Sequence, residues 1–191
     1  HQPARLLRSP TPVPSLALPM ASSNGNRAVT GTPPQVLATT AGSAEKLEYC
    51  RKLGADIAIN YKEQEFAEEL KGWADVILDV VGGKYLQANV DSLSWRGHLV
   101  IIGLQGGARG ELDLSALMSK RASITATTLR VLSPEAKGEI LSDLSETELP
   151  LLESGVIDPM VDRAFPLERV REAHEYFDSG EHRGKVVLRL A

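Results

Sequence analysis

A single cysteine, Cys50, stands among the 191 residues, so the chain holds neither an internal disulfide nor a zinc site built from several thiolates. That scarcity fits a reducing compartment, and a cytoplasmic protein is expected. No apolar run approaches the roughly 20 residues that a membrane-spanning helix requires. A basic stripe is missing too. Lysines and arginines are mixed with acids and the net charge is −4, which leaves a nucleic acid no landing surface. Acids themselves are absent before Glu45, while Arg5, Arg8 and Arg27 lie upstream among many Ser, Thr and Ala.

Residues 1–35 read as an irregular or disordered tail, because Pro3, Pro10, Pro12, Pro14, Pro19, Pro33 and Pro34 interrupt any periodicity. Three origins are open. The acid-poor bias is shared with organelle transit peptides, although no amphipathic stretch accompanies it. Met20, in MASSNG, could be the natural start, with translated leader before it. A splice or reading-frame join ending near Gln35 could have replaced an original N-terminal half. The last two fit better than a targeting peptide.

From Val36 the chain alternates short apolar runs with helical segments, which argues for a parallel sheet covered by helices. Strands are predicted at Val36 to Thr40, Asp56 to Asn60, Ala74 to Val80, His98 to Gly103 and Ala122 to Thr127, all of the type buried on both faces. Ser43 is suited to cap a helix bearing Leu47, Cys50 and Leu53 on its apolar face, and Gly54 to end it. Burial is therefore expected for Cys50. Val36 to Tyr61 reads as the second strand, helix and third strand of a dinucleotide-binding fold. The G-x-G-x-x-G turn that should precede it, whose backbone N–H groups hold a pyrophosphate, has no match between His1 and Gln35.

The ends of the strands hold the binding residues in such a sheet. Enzymes that use NAD usually place an acid at the end of the second strand to accept from the ribose 2′-OH. Here Thr39-Thr40-Ala41-Gly42-Ser43 stands there instead. An acid would repel a 2′-phosphate, whereas Ser43 can donate to it and Lys46 can supply charge one turn on, which favours NADP. The plain alternative is a capping serine and a solvated lysine. Gly82-Gly83 and Gly106-Gly107 follow later strands, where tight turns and ligand approach are equally good reasons for paired glycines.

After Arg130 the pattern changes. Ser133-Pro134-Glu135 starts a helix expected to reach Leu152, with a kink or split at Pro150 and an end at Gly155. A short strand at Met160 to Asp162, a helix from Leu167 bearing Val170, Ala173, His174 and Phe177 on one face, and a strand at Lys185 to Leu190 follow. His174 reads as packed or half exposed, and nothing gives His182 or Lys185 a role.

AGSAEKLEYCRKLGADIAINY, ILDVVGG, VIIGLQGG, TLR and RGKVVL, in that order, resemble the zinc-free medium-chain quinone oxidoreductases, of the zeta-crystallin type. The similarity runs from Val36 to Leu190. Beyond the tail, it implies an α/β fold in two parts: an incomplete Rossmann NADP-binding domain over 36–130 that lacks its first strand, and a segment over 131–191 that returns to a GroES-like catalytic domain. It also implies hydride transfer from NADPH to a quinone, enone or carbonyl without metal, with the catalytic residues in an N-terminal domain outside this chain. By the same resemblance Ser43, Lys46 and Tyr61 bind the 2′-phosphate, and Gly82 lies under the adenosine half. Gly103, Leu104, Leu129 and Arg130 border the nicotinamide; for Arg130 a plain surface role is equally open. Without its central first strand the sheet would fall into a 3-2 pair and a 4-5-6 set with two apolar edges, leaving the chain marginally folded and binding NADPH weakly or not at all. The alternative function is an inactive fragment or dimerisation partner of a full-length subunit, docking through the strand Ala122 to Thr127.

Overall fold

The computed structural model describes residues 5–8 and 36–190. Met20 and the three proposed origins of the tail fall on residues outside that description. Two compact units divide between Lys137 and Gly138.

The first unit is a six-stranded sheet of order β3-β2-β1-β4-β5-β6. Its strands are β1 (Arg5–Arg8), β2 (Val36–Ala41), β3 (Ile57–Asn60), β4 (Ala74–Asp79), β5 (Leu93–Ile101) and β6 (Ser123–Ala126). Between them run α1 (Ala44–Lys52), α2 (Phe66–Glu69), α3 (Leu86–Ser92) and α4 (Leu114–Lys120). Ala38, Ile59, Phe66, Leu70, Ala74, Ile77, Leu93 and Leu99 form the buried core. The parallel pairings β2/β3, β4/β5 and β5/β6 and the burial of β2 are as the apolar runs require.

The central strand is the main departure from expectation. Residues Arg5–Arg8 lie between β2 and β4 and pair antiparallel with both. Leu6 stands opposite Ala38 on one side and Ile77 on the other. The sheet is therefore not split into two sets, and the tail is not irregular throughout. The physical reason is a matter of edges: two rows of unpaired N–H and C=O groups would face the empty slot, and a four-residue strand pairs with residues 36–39 of one and 76–78 of the other. Pro3 and Pro10 bracket this run rather than interrupt it.

Three smaller differences have local causes. Ser43 caps α1 as expected, its Oγ accepting from Lys46 N at 3.3 Å, and Gly54 follows the helix at φ 98°. Cys50 is only half-buried, and Leu53 is 38% exposed, so the apolar face of α1 narrows toward its end. β5 begins at Leu93, not His98, because the chain passes through an irregularity at Arg96, φ 61°, and still pairs with β4 on both sides of it.

Lys120, at the end of α4, closes the neighbouring helix. Its ammonium donates to the carbonyls of Val90, Asp91 and Leu93 at 2.8, 2.6 and 2.7 Å, the groups left without intrahelical partners where α3 ends. Burial holds its pKa below the usual lysine value, with the charge of Asp91 opposing that shift.

The second unit contains most of α5 (Pro134–Thr147), then α6 (Leu149–Glu153), β7 (Val161–Pro166), α7 (Val170–Ser179) and β8 (Lys185–Arg189). β7 and β8 are parallel and α7 connects them. The helix break falls at Glu148 rather than at Pro150, since proline is tolerated in a first turn, where its missing N–H has no partner to lose. On α7 only Ala173 is buried; His174 is exposed and Phe177 is 54% exposed. No helix among the described residues is long and apolar enough to cross a membrane.

Two stability outcomes follow. Leu7→Pro removes a ladder donor from the middle of the sheet and lowers unfolding free energy by about 1–3 kcal/mol in urea titration; an unchanged midpoint contradicts the placement of β1. Lys120→Met strands three carbonyls and costs about 1–3 kcal/mol by the same assay, whereas a cost near zero means solvent satisfies them equally well.

Candidate functional site

A cleft of about 50 Å³ opens at the carboxyl ends of the strands, lined by Thr40, Tyr61, Val81, Lys84, Tyr85, Gln105 and Gly106. Carboxyl ends are where open α/β sheets bind ligands. One wall comes from β2 and the turn after β3. The other comes from the turns after β4 and β5. Lys84 places its ammonium 5.9 Å from the Tyr85 ring centroid, giving the cleft a cation beside two phenols. Burial raises the pKa of Tyr85, and the nearby Tyr61, Glu65 and Asp79 raise it further, so this phenol remains a hydrogen-bond donor.

Tyr61 is folded back onto Gly42. A Cβ on Gly42 would sit 2.5 Å from the Tyr61 hydroxyl and 2.8 Å from its ring carbon Cζ, so a larger residue there would displace the phenol. This contact brings Tyr61 to the start of α1, where Ser43 and Lys46 stand. The Ser43 Oγ already accepts from a backbone N–H, and its own hydrogen is still available to donate. Capping and anion binding are thus compatible roles for one hydroxyl.

The second wall is two interlocked loops. Asp79, with no solvent-accessible surface, closes β4 and accepts from Val81 N at 2.8 Å and Gly82 N at 2.9 Å. Gln105 N donates to Val80 O at 3.1 Å, Gly106 N to Val81 O at 2.7 Å, and Gly83 N to Gly107 O at 2.8 Å. A side chain on Gly83 would strike the Arg109 backbone, and one on Gly110 would strike Gly83. Burial pushes the Asp79 carboxyl up from its ordinary value of 3.8; the two backbone donors and the nearby Asn89 oppose the rise without cancelling it. Asn89 is fully buried with neither side-chain atom in hydrogen-bond geometry.

Of the eight residues expected to bind cofactor, Tyr61 alone lines the cleft. Ser43 and Lys46 adjoin it through Gly42. Gly82, Gly103 and Leu104 meet in the interlocked loops: a Cβ on Gly82 would lie 2.8 Å from the Leu104 side chain, and one on Gly103 would lie 2.8 Å from Val80 O. Leu129, 58% exposed, and Arg130 lie beyond β6 and do not line the cleft. Lys84, Tyr85 and Gln105 escaped sequence reasoning. Their only signal is position, just after paired glycines or just before them.

A mostly parallel sheet in the order 3-2-1-4-5-6, with a cleft at the carboxyl ends, is a dinucleotide-binding architecture. Residues 53–188 match the family model described as zinc-binding dehydrogenase, and the chain belongs to that family. It is 29% identical to the 2-haloacrylate reductase of a Burkholderia species over 154 residues, 78% of this chain and 46% of that one. Among solved structures, the quinone oxidoreductase of Escherichia coli complexed with NADPH superposes with a TM-score of 0.66 at 30% identity, covering 79% of this chain and 48% of that one. An NAD-dependent alcohol dehydrogenase superposes with a TM-score of 0.64 at 27% identity, covering 80% and 43%. The chain spans a little under half the length of the curated relatives it matches. The family's description names zinc, whereas the resemblance implied a zinc-free branch. Among the described residues, no three His, Cys, Asp or Glu gather to hold a metal ion.

The Asp79 clamp yields a pH outcome. A raised pKa favours the protonated form in the folded state, so its contribution to stability is complete below pH 3.8 and is lost as pH rises through the elevated value. Carbon-13 NMR of the Asp79 carboxyl shows a midpoint above 3.8; a midpoint at or below it contradicts the burial argument.

Proposed function

We propose that this chain is the nucleotide-binding part of an NADPH-dependent reductase of quinones or other electron-poor enones and carbonyls. One observation carries the reading: β2 ends without an acid, and Tyr61 is folded onto Gly42 beside Ser43 and Lys46. The match to a quinone oxidoreductase complexed with NADPH supports it. The match to an NAD-dependent enzyme means that the choice of cofactor rests on these residues and not on kinship.

The residues fit such a cofactor. Gly42 leaves room for Tyr61 at the start of α1, Ser43 donates to a 2′-phosphate, and Lys46 neutralises it. Tyr61 offers its hydroxyl to the same group. Gly82 and Gly103 allow backbone to pass close to the remainder, with Leu104, Leu129 and Arg130 assigned to the nicotinamide end. The bound cofactor supplies a hydride, and no residue here needs to provide redox chemistry. The chain's own contribution is position and exclusion of water, with Asp79 holding the Gly82 turn. This reading assigns the chain no metal and a cytoplasmic location, with residues 131–191 returning to a catalytic domain.

A second reading is supported by one feature. β6 is an outer strand of the sheet, with Ala126 exposed, so an identical or full-length subunit could extend the sheet there as a dimer. In that case the chain acts as a non-catalytic partner.

Calorimetric titration separates the readings. NADPH binds at least about tenfold more tightly than NADH, and Ser43→Ala removes most of that preference, since hydrogen bonds to charged groups contribute about 1.5–3 kcal/mol. Equal affinities, or no binding by a folded dimer, overturn the first reading.

A further inference from the structure

The turn after β3 places a second lysine at the start of α1. Asn60 is buried, and its Oδ1 accepts from Lys62 N at 3.1 Å. Its own carbonyl accepts from Glu63 N at 3.0 Å and Gln64 N at 2.8 Å, while Tyr61 N donates to Ala41 O at 3.3 Å. These bonds fix the Tyr61-Lys62 pair against the end of β2. Both side chains then cross Gly42: the Lys62 Cε lies 3.1 Å from where a Gly42 Cβ would be, next to the Tyr61 hydroxyl. Lys62 is exposed, and among the described residues its ammonium forms no ion pair.

Charge explains why one lysine is insufficient. A phosphate monoester carries about −1.5 to −2 at neutral pH. Glu45 stands in the first turn of α1 and opposes it. Lys46 alone only offsets Glu45, and Lys62 adds a second cation whose side chain crosses Gly42. We propose that Lys62 is a second cation of the 2′-phosphate subsite and sets the preference for NADPH over NADH separately from Ser43 and Lys46. The inference rests on the NADPH reading above and adds to it a residue on a different element.

The test uses the full chain and two probes of the adenosine half, adenosine 2′,5′-bisphosphate and AMP, titrated by calorimetry. Wild type prefers the bisphosphate. Lys62→Ala lowers bisphosphate affinity about tenfold and leaves AMP unchanged, and Lys62→Arg restores most of the loss. Lys52→Ala, in the last turn of α1, changes neither. If Lys62→Ala keeps the wild-type ratio of the two probes, the proposal is overturned while the NADPH reading stands. If wild type shows no preference, the NADPH reading fails and the proposal fails with it. Equal losses on both probes also overturn it, because they mark a general effect on the turn and not recognition of the 2′-phosphate.

Discussion

The backbone groups of β2 and β4 face one slot in the sheet, and both rows depend on what lies between them. Unpaired N–H and C=O groups buried in an apolar layer cost more than a fold of this size can tolerate in number. A strand of four residues, antiparallel to both neighbours, pairs with the middle of β4 and the first four residues of β2. The consequence reaches the cleft directly. Thr40 and Tyr61 belong to the β2 and β3 side, while Val81, Lys84, Tyr85, Gln105 and Gly106 belong to the β4 and β5 side. β1 is the element that keeps these walls at a fixed separation.

Within each wall the same economy recurs: polar atoms that could bind a ligand are first used to hold loops. Asp79 ties down the Gly82 turn, Asn60 ties down Tyr61 and Lys62, and Ser43 caps α1 with a lone pair while its hydrogen stays available. Glycines serve this purpose as much as ligand approach. Gly83 and Gly110 exist where two backbones cross too closely for a Cβ. At Gly42 the space of a side chain is taken by the Tyr61 phenol. A site assembled this way is set before any ligand arrives, which lowers the entropic cost of binding.

Much of this was legible in the residues. The strands from β2 to β4 read directly because continuous apolar runs and capping signals agree. The end of β2 was legible as far as its residues go: the absence of an acid is visible in sequence, and Ser43 caps α1 as expected. β1 was not, because four residues between prolines show no periodicity and gain their meaning only from the two edges they meet. Lys84, Tyr85 and Gln105 were hidden because loop pairing, not spacing, brings them together. Lys62 was hidden because its approach to Gly42 depends on a turn held by a buried amide.

If β1 is the clasp between the walls, the geometry of the cleft and the integrity of the sheet are one property. The most direct test is NMR of isotopically labelled chain for backbone contacts across the slot. The structure predicts nuclear Overhauser contacts from Leu6 and Leu7 to Leu37 and Ala38 on one side and to Val76 and Ile77 on the other, within one molecule. Absence of those contacts, with rapid hydrogen exchange at the amides of β2 and β4, would show two separate half-sheets and contradict the account.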